Sequence, residues 1–215
     1  PIRNSESVSF TALNRNKRSL VLDLKSQQAQ EVMRKLAAKS DVFVEANRPG
    51  ALEKMGLGSE HLKAVNPKII YTSVSGFGQT GPDRRRAGVN LIIEAFSGVL
   101  SVTGAPGEMP MRPGLQTADV FGALFATYAT LASLVGAGRT GEGRVADISL
   151  VEASIAAAAW EAAEYLETGK VPQPMGNRHR LTAPYQLFET ADKRYVACGM
   201  PNNMLFQKFM QVIGL

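Results

Sequence analysis

A single cysteine, Cys198, among 215 residues excludes an internal disulfide framework and makes a Cys-rich zinc site implausible. It lies in the apolar run YVACGM, which reads as a core thiol and suggests a reducing compartment. Histidine is almost as scarce. His61 has no second ligand at metal spacing, and His179 has no Ser or Cys nucleophile in a recognisable motif nearby, so the one reads as exposed and the other as structural. No uninterrupted apolar run reaches the ~20 residues that span a bilayer. With 45% apolar and 20% charged residues, the composition is that of a soluble globular protein. The N-terminal PIRNSESVSF has neither an initiator Met nor an apolar signal core, so no targeting is read from it. Neither G-x-x-x-x-G-K-[ST] nor G-x-G-x-x-G occurs, and ATP or NAD binding is not expected. The excess of 24 Lys+Arg over 19 Asp+Glu is mild; it favours an anionic ligand without identifying one.

What the chain does have is a long apolar periodicity after residue 116. Val120, Phe121, Leu124, Phe125, Tyr128, Leu131 and Val135 recur at helical spacing, predicting a helix with a broad buried face and Asp119 in its first turn. A carboxylate there meets unpaired amides and the positive end of the helix dipole, which suits either a structural cap or an anionic nucleophile.

Around this helix the pattern predicts an α/β fold with a parallel sheet. Residues 19–24 alternate as a strand, 26–39 carry an apolar helical face through Ala29, Val32, Met33, Leu36 and Ala37, and 41–45 form a short apolar strand. That order predicts a parallel βαβ unit, whose following loop, residues 46–50, lies where open α/β sheets bind ligands. Further strands are expected at 68–76, 146–150 and 195–199, and helices at 51–55, 91–100 and 151–167. Trp160 on the last of these reads as core filling. Residues 170–174 are linker-like, and the final helix shows Phe206, Phe209, Met210 and Ile213 on one face. Asp83-Arg84-Arg85-Arg86 is the densest charge run, with no aromatic platform to mark it as a nucleic-acid site.

Several segments together resemble the class III CoA-transferases, the family of formyl-CoA:oxalate, carnitine and succinyl-CoA-dependent dicarboxylate CoA-transferases and of alpha-methylacyl-CoA racemase. They are Asn14-Arg15-Asn16-Lys17-Arg18 running on to Leu22-Asp23-Leu24-Lys25, Gly76-Phe77-Gly78 with Gly81-Pro82, Asp119 with Gly122-Ala123, Gly138-Arg139-Thr140-Gly141-Glu142-Gly143, Gly176-Asn177-Arg178-His179 and Ala183-Pro184-Tyr185. The resemblance implies an open, mostly parallel Rossmann-like sheet flanked by helices, forming a large CoA-binding domain over residues 1–170. A linker and the start of a smaller α+β domain follow over residues 171–215. Relatives are about twice as long, so the chain reads as a fragment of an interlocked-dimer fold without its first βαβ unit.

Carried over residue by residue, the resemblance makes Asp119 the catalytic carboxylate and Leu22, Lys25, Asn47, Arg48, Lys54, Arg86 and Asn90 the CoA-binding positions. The loop departs from the usual V-E-N-[FY]-x-P-G, with Ala46 for the Asn and Asn47 for the aromatic that lies against adenine. Val89 and Asn90 stand where racemase-type members have His and Asp, which disfavours proton exchange. The implied activity moves CoA from an acyl-CoA donor to a carboxylic acid through an aspartyl-CoA thioester, with acyl-CoA as substrate and no metal. The implied partners are these small molecules and a second copy of the chain, without nucleic acid or membrane. The expected compartment is the cytoplasm, or the mitochondrial matrix in a eukaryote. A racemase-like enzyme, a non-catalytic CoA-binding fragment and a nucleic-acid binder are the alternatives.

Overall fold

The computed structural model describes residues 2–3 and 6–215, with side chains from Ser7 onward. A two-residue antiparallel ladder of Ile2–Arg3 (β1) and Glu6–Ser7 (β2) leads into the helix Val8–Leu13 (α1), where the Ser7 hydroxyl accepts the Phe10 amide. Residues 19–24, expected as a strand, run as irregular chain with Val21 91% exposed. Alternation makes a segment fit for a sheet, but a strand exists only where a neighbour completes its ladder, and no neighbour lies beside this one among the described residues. The βαβ unit expected over 19–45 is therefore not formed.

The helix Gln27–Ala37 (α2) begins where the Ser26 hydroxyl accepts the Ala29 amide at 3.2 Å, as an N-cap should. The strand Val42–Glu45 (β3) follows, then the helices Ala51–Lys54 (α3) and Ser59–Val65 (α4), and then the strand Ile70–Ser75 (β4). β3 pairs parallel with β4, Val42 opposite Ile70, so the βαβ connection runs through α3 and α4 rather than α2. Ala37, Leu52, Leu57, Leu62, Ile69 and Tyr71 close a core here, with Leu24, Met33, Phe43 and Met55 against it. Each large aliphatic buried in this way contributes about 1.5–3 kcal/mol of transfer free energy.

Beyond β4 come the helix Asn90–Phe96 (α5), a single 3-10 turn at Leu100–Val102, and the long helix Thr117–Thr140 (α6). The expected single helix over 91–100 stops early because the chain turns through Gly98 at φ 85°. The strand Val145–Ser149 (β5) then pairs parallel with β4, Tyr71 opposite Val145, giving the order β3-β4-β5. Helix Leu150–Ala157 (α7) and helix Ala159–Thr168 (α8) replace the single helix expected over 151–167, since Ala158 leaves helical geometry at ψ 38°. Trp160 is 67% exposed, its ring at right angles to that of His179 with centroids 6.0 Å apart, so it does not fill the core of this chain. An antiparallel pair, Tyr185–Glu189 (β6) and Tyr195–Gly199 (β7), and the helix Asn203–Ile213 (α9) complete the described fold.

α6 packs on β4, β5, α5 and α7, but not by the face that its bulky residues suggested. Ala118, Gly122 and Ala126, one turn apart, are its buried positions, while Leu124, Phe125, Tyr128, Leu131 and Val135 stay exposed. Small residues let the helix approach its neighbours closely, with Gly122 against Leu150 of α7, while Thr130 Oγ1 meets Thr72 Oγ1 of β4 at 2.7 Å. By length and composition α6 is also long and apolar enough to cross a bilayer, which counting only uninterrupted apolar runs had missed, because Gly and Thr break the run at little hydropathic cost.

Gly122 makes the close approach possible: a Cβ there would collide with the Leu150 side chain of α7. Replacing Gly122 with Val should lower the stability by about 1–3 kcal/mol, the usual cost of overpacking. Thermal unfolding checks this, and an unchanged Tm would show that α6 and α7 do not meet as described.

Candidate active site

The carboxyl ends of β3 and β4 open into a cavity of about 870 Å³. Its walls come from the loop after β3, the end of β4, residues 86–89 and the first turns of α6. This is the crevice beyond the strand ends where open parallel sheets place ligands. Gly76 and Gly88 cross at its rim so closely that a Cβ on Gly76 would lie 2.8 Å from the Gly88 Cα. Two side-chain-free positions thus let the 86–89 loop lie directly over the end of β4.

Asp119, the third residue of α6, lines this cavity. Its backbone amide donates to Asn90 Oδ1 at 3.3 Å. The Thr117 amide and hydroxyl both donate to Glu94 Oε1, at 3.0 and 2.6 Å. Two side chains of α5 therefore satisfy amides that the start of α6 leaves unpaired, in place of a cap from Gln116, which makes no such bond. Among the described residues the Asp119 carboxylate accepts no hydrogen bond, so it is held by its backbone and remains open to a ligand.

The two carboxyl groups are shifted in opposite directions. Burial pushes Glu94 up, but the two Thr117 bonds, the polar Asn90 side chain close by and the charge of Arg112 outweigh it and leave Glu94 below its usual value. Asp119 is raised, first by loss of solvent at the cavity wall and then by the neighbouring Glu94 charge. A raised carboxyl at the mouth of a cavity is a group whose anion is less comfortable than in water, and it loses that penalty when its charge is removed.

Of the residues expected at the site, Asn47, Arg48, Arg86 and Asp119 line this one cavity. The Asn47 amide donates to Glu45 Oε2 at 2.7 Å, which sets the loop after β3. Arg86 pairs with Asp83 at 3.2 Å and lies over the Phe96 and Phe77 rings, 5.0 and 5.6 Å from their centroids. Asn90 is buried and serves the Asp119 amide, so its place is beneath the cavity rather than in it. Leu22, Lys25 and Lys54 do not line the cavity; Leu22 is half-buried and both lysines are exposed. Lys17 does line it, and sequence reasoning passed over it although it sits in the same Asn-Arg-Asn-Lys-Arg motif that drew attention to Lys25. The role of Glu94 was also missed; its signal was the four-residue spacing from Asn90, which puts both on one face of α5.

No cluster of three or more His, Cys, Asp or Glu side chains among the described residues is arranged to hold a metal. His61 is exposed. His179 Nδ1 accepts the Leu181 amide at 3.2 Å, and its ring packs 4.8 Å from that of Tyr185, so it braces the turn before β6.

An open parallel sheet whose ligand crevice combines cationic side chains with a carboxylate at a helix start defines an α/β protein suited to an anionic ligand. The chain belongs to CoA-transferase family III, which it matches over residues 1–215. It is 39% identical over 215 residues to succinyl-CoA:glutarate CoA-transferase of Mus musculus, covering 100% of this chain and 49% of that protein. It is 35% identical to acetyl-CoA:oxalate CoA-transferase of Acetobacter aceti, covering 100% of this chain and 55% of that protein. Among solved structures, a CAIB/BAIF family protein from Brucella suis superposes with a TM-score of 0.85 at 38% identity, covering 99% of this chain and 56% of that one. Rv3272 from Mycobacterium tuberculosis gives a TM-score of 0.81 at 30% identity, covering 94% and 52%. The chain thus spans about half the length of the curated relatives it matches.

Because the folded-state value of Asp119 is raised, its contribution to stability is full below its ordinary 3.8 and is lost as pH rises through the folded value. Asp119→Asn should therefore unfold at a higher temperature than the wild type at neutral pH, with the gap closing as pH falls below 3.8. Thermal melts at a series of pH values check the sign; a variant less stable than wild type at neutral pH would show that the carboxylate is not strained there.

Proposed function

We propose that this chain provides the CoA-binding and nucleophile-bearing part of a CoA-transferase that moves CoA from an acyl-CoA to a carboxylic acid through Asp119. The observation that carries the reading is that Asp119 shares one cavity with Arg48, Arg86 and Lys17. CoA brings several phosphate charges at one end and a thioester at the other. Arginine forks and a lysine suit the phosphates, and a carboxylate without hydrogen-bond partners suits the thioester carbonyl.

In this reading the Asp119 carboxylate attacks the thioester carbonyl, forming an acyl-aspartyl anhydride and releasing CoA thiolate. The thiolate attacks the aspartyl carbonyl, the first carboxylate leaves, and an aspartyl-CoA thioester remains. The acceptor carboxylate displaces the thiolate to form a second anhydride. The thiolate then attacks the acceptor's acyl carbon, giving the new acyl-CoA and restoring the Asp119 anion. Each step exchanges one leaving group for one nucleophile, so no oxidant or external base is required. Val89, which lines the cavity where racemase-type relatives carry a His, offers no proton-transfer group and supports transfer over racemization. The dicarboxylates in the relatives' names, glutarate and oxalate, support a dicarboxylic acid as acceptor. Residues 1–170 act as the large CoA-binding domain and 171–215 begin a smaller one. A homodimer would cover the apolar side of α6.

Incubation with succinyl-CoA and a panel of dicarboxylates, followed by mass spectrometry, should show CoA exchange and a CoA adduct on Asp119. Asp119→Ala should lower exchange at least ~1,000-fold. Equal exchange by the two proteins would remove Asp119 from the chemistry. Arg86→Ala should raise KM for the acyl-CoA ~10-fold with a smaller change in kcat, as expected for loss of a charge-assisted phosphate contact. An unchanged KM would take Arg86 off the CoA.

A further inference from the structure

Among the described residues Glu94 is the one fully buried carboxylate, with no exposed surface. A buried anion is expensive unless its lone pairs are used. Glu94 uses only half of them: Oε1 takes both Thr117 bonds, while Oε2 has no hydrogen-bond partner. The Nδ2 of Asn90, one helical turn away on α5, is also buried without a partner. A tether that did nothing but hold α6 would be served as well by a neutral amide, which can accept the same two Thr117 bonds. The excess is a negative charge set under the turn that carries Asp119. Its tether, Thr117, stands two residues before Asp119, and the charges that act on the pair are those of Arg112, in the segment leading to α6, and of Asp119 itself.

We propose that Glu94 is a positioning residue for the nucleophile, fixing the first turn of α6 through Thr117 while keeping an anion beside Asp119. This rests on the acyl-transfer reading above and deepens it. When Asp119 is acylated or thioesterified its charge disappears, and the repulsion from Glu94 disappears with it. The covalent state is favoured relative to the free carboxylate, because the penalty applies to the free enzyme alone. Thr117 and Asn90 hold the backbone meanwhile, so the repulsion cannot relax by moving the turn.

The test separates charge from tether. Glu94→Gln keeps an acceptor for Thr117 and removes the charge; Glu94→Ala removes both. In Glu94→Gln, the Asp119 carboxyl followed by NMR without any CoA present should titrate at a lower pH than in the wild type, with Tm little changed. With succinyl-CoA, its equilibrium Asp119 adduct should fall ~10-fold at nearly constant KM. Glu94→Ala should in addition lower Tm and reduce kcat ~100-fold through misplacement of the turn. An unchanged Asp119 titration in Glu94→Gln would overturn the proposal whatever the exchange assay shows. If wild type forms no adduct with any acyl-CoA, the transferase reading fails by itself, and the CoA-free titration still decides whether Glu94 acts on Asp119.

Discussion

The start of α6 is fixed by side chains from another helix, and the position of the site follows from that. A helix this long must end its N-terminus somewhere, with amides that need acceptors. Here the acceptors are Asn90 and Glu94 of α5, with Glu94 completely buried. α5 itself is set by the loop after β4, where Gly76 and Gly88 touch. The chain of contacts therefore runs from the central strand through two glycines to α5, and from α5 to the amide of Asp119. Loosening any link would shift the carboxylate relative to the cavity.

The cavity follows from the same arrangement. Parallel strands all point their carboxyl ends one way, so the loops after β3 and β4 converge with the positive end of α6. Arg48 and Arg86 arrive on those loops, and Arg86 is held over Phe77 and Phe96 rather than left to swing in solvent. Opposite charges thus meet in one crevice without neutralising each other through a direct ion pair: Arg86 pairs with Asp83. In the function proposed above, that separation suits a ligand with an anionic end and an electrophilic end.

Much of this could be read from residues. Asp119 at the first turn and the helix around it followed from periodicity and cap chemistry, and the position of the loop that brings Asn47 and Arg48 to the cavity followed from the α/β rule. What failed did so for identifiable reasons. Residues 19–24 have the alternation of a strand but no ladder partner. Trp160 was assigned to the core by size, and this chain leaves it exposed. The spacing predicts a buried bulky face on α6, whereas its buried positions are Ala118, Gly122 and Ala126 and it meets the sheet through Thr130 on Thr72. Motif membership does not say which lysine the chain turns toward the cavity: Lys17 lines it, while Lys25 and Lys54 lie outside it.

The sequence by itself determined the elements whose signals are local: where α2 and α6 begin, that short strands run around residues 42 and 70, and that a carboxylate sits at a helix start. These depend on neighbours within a few residues, and spacing records them. Only the tertiary structure decided which charges share the crevice and what each carboxylate experiences. Glu94 and Asn90 precede Asp119 by 25 and 29 residues, so no local pattern states that they meet it, and the electrostatics of a carboxyl group depend on where its neighbours stand in space.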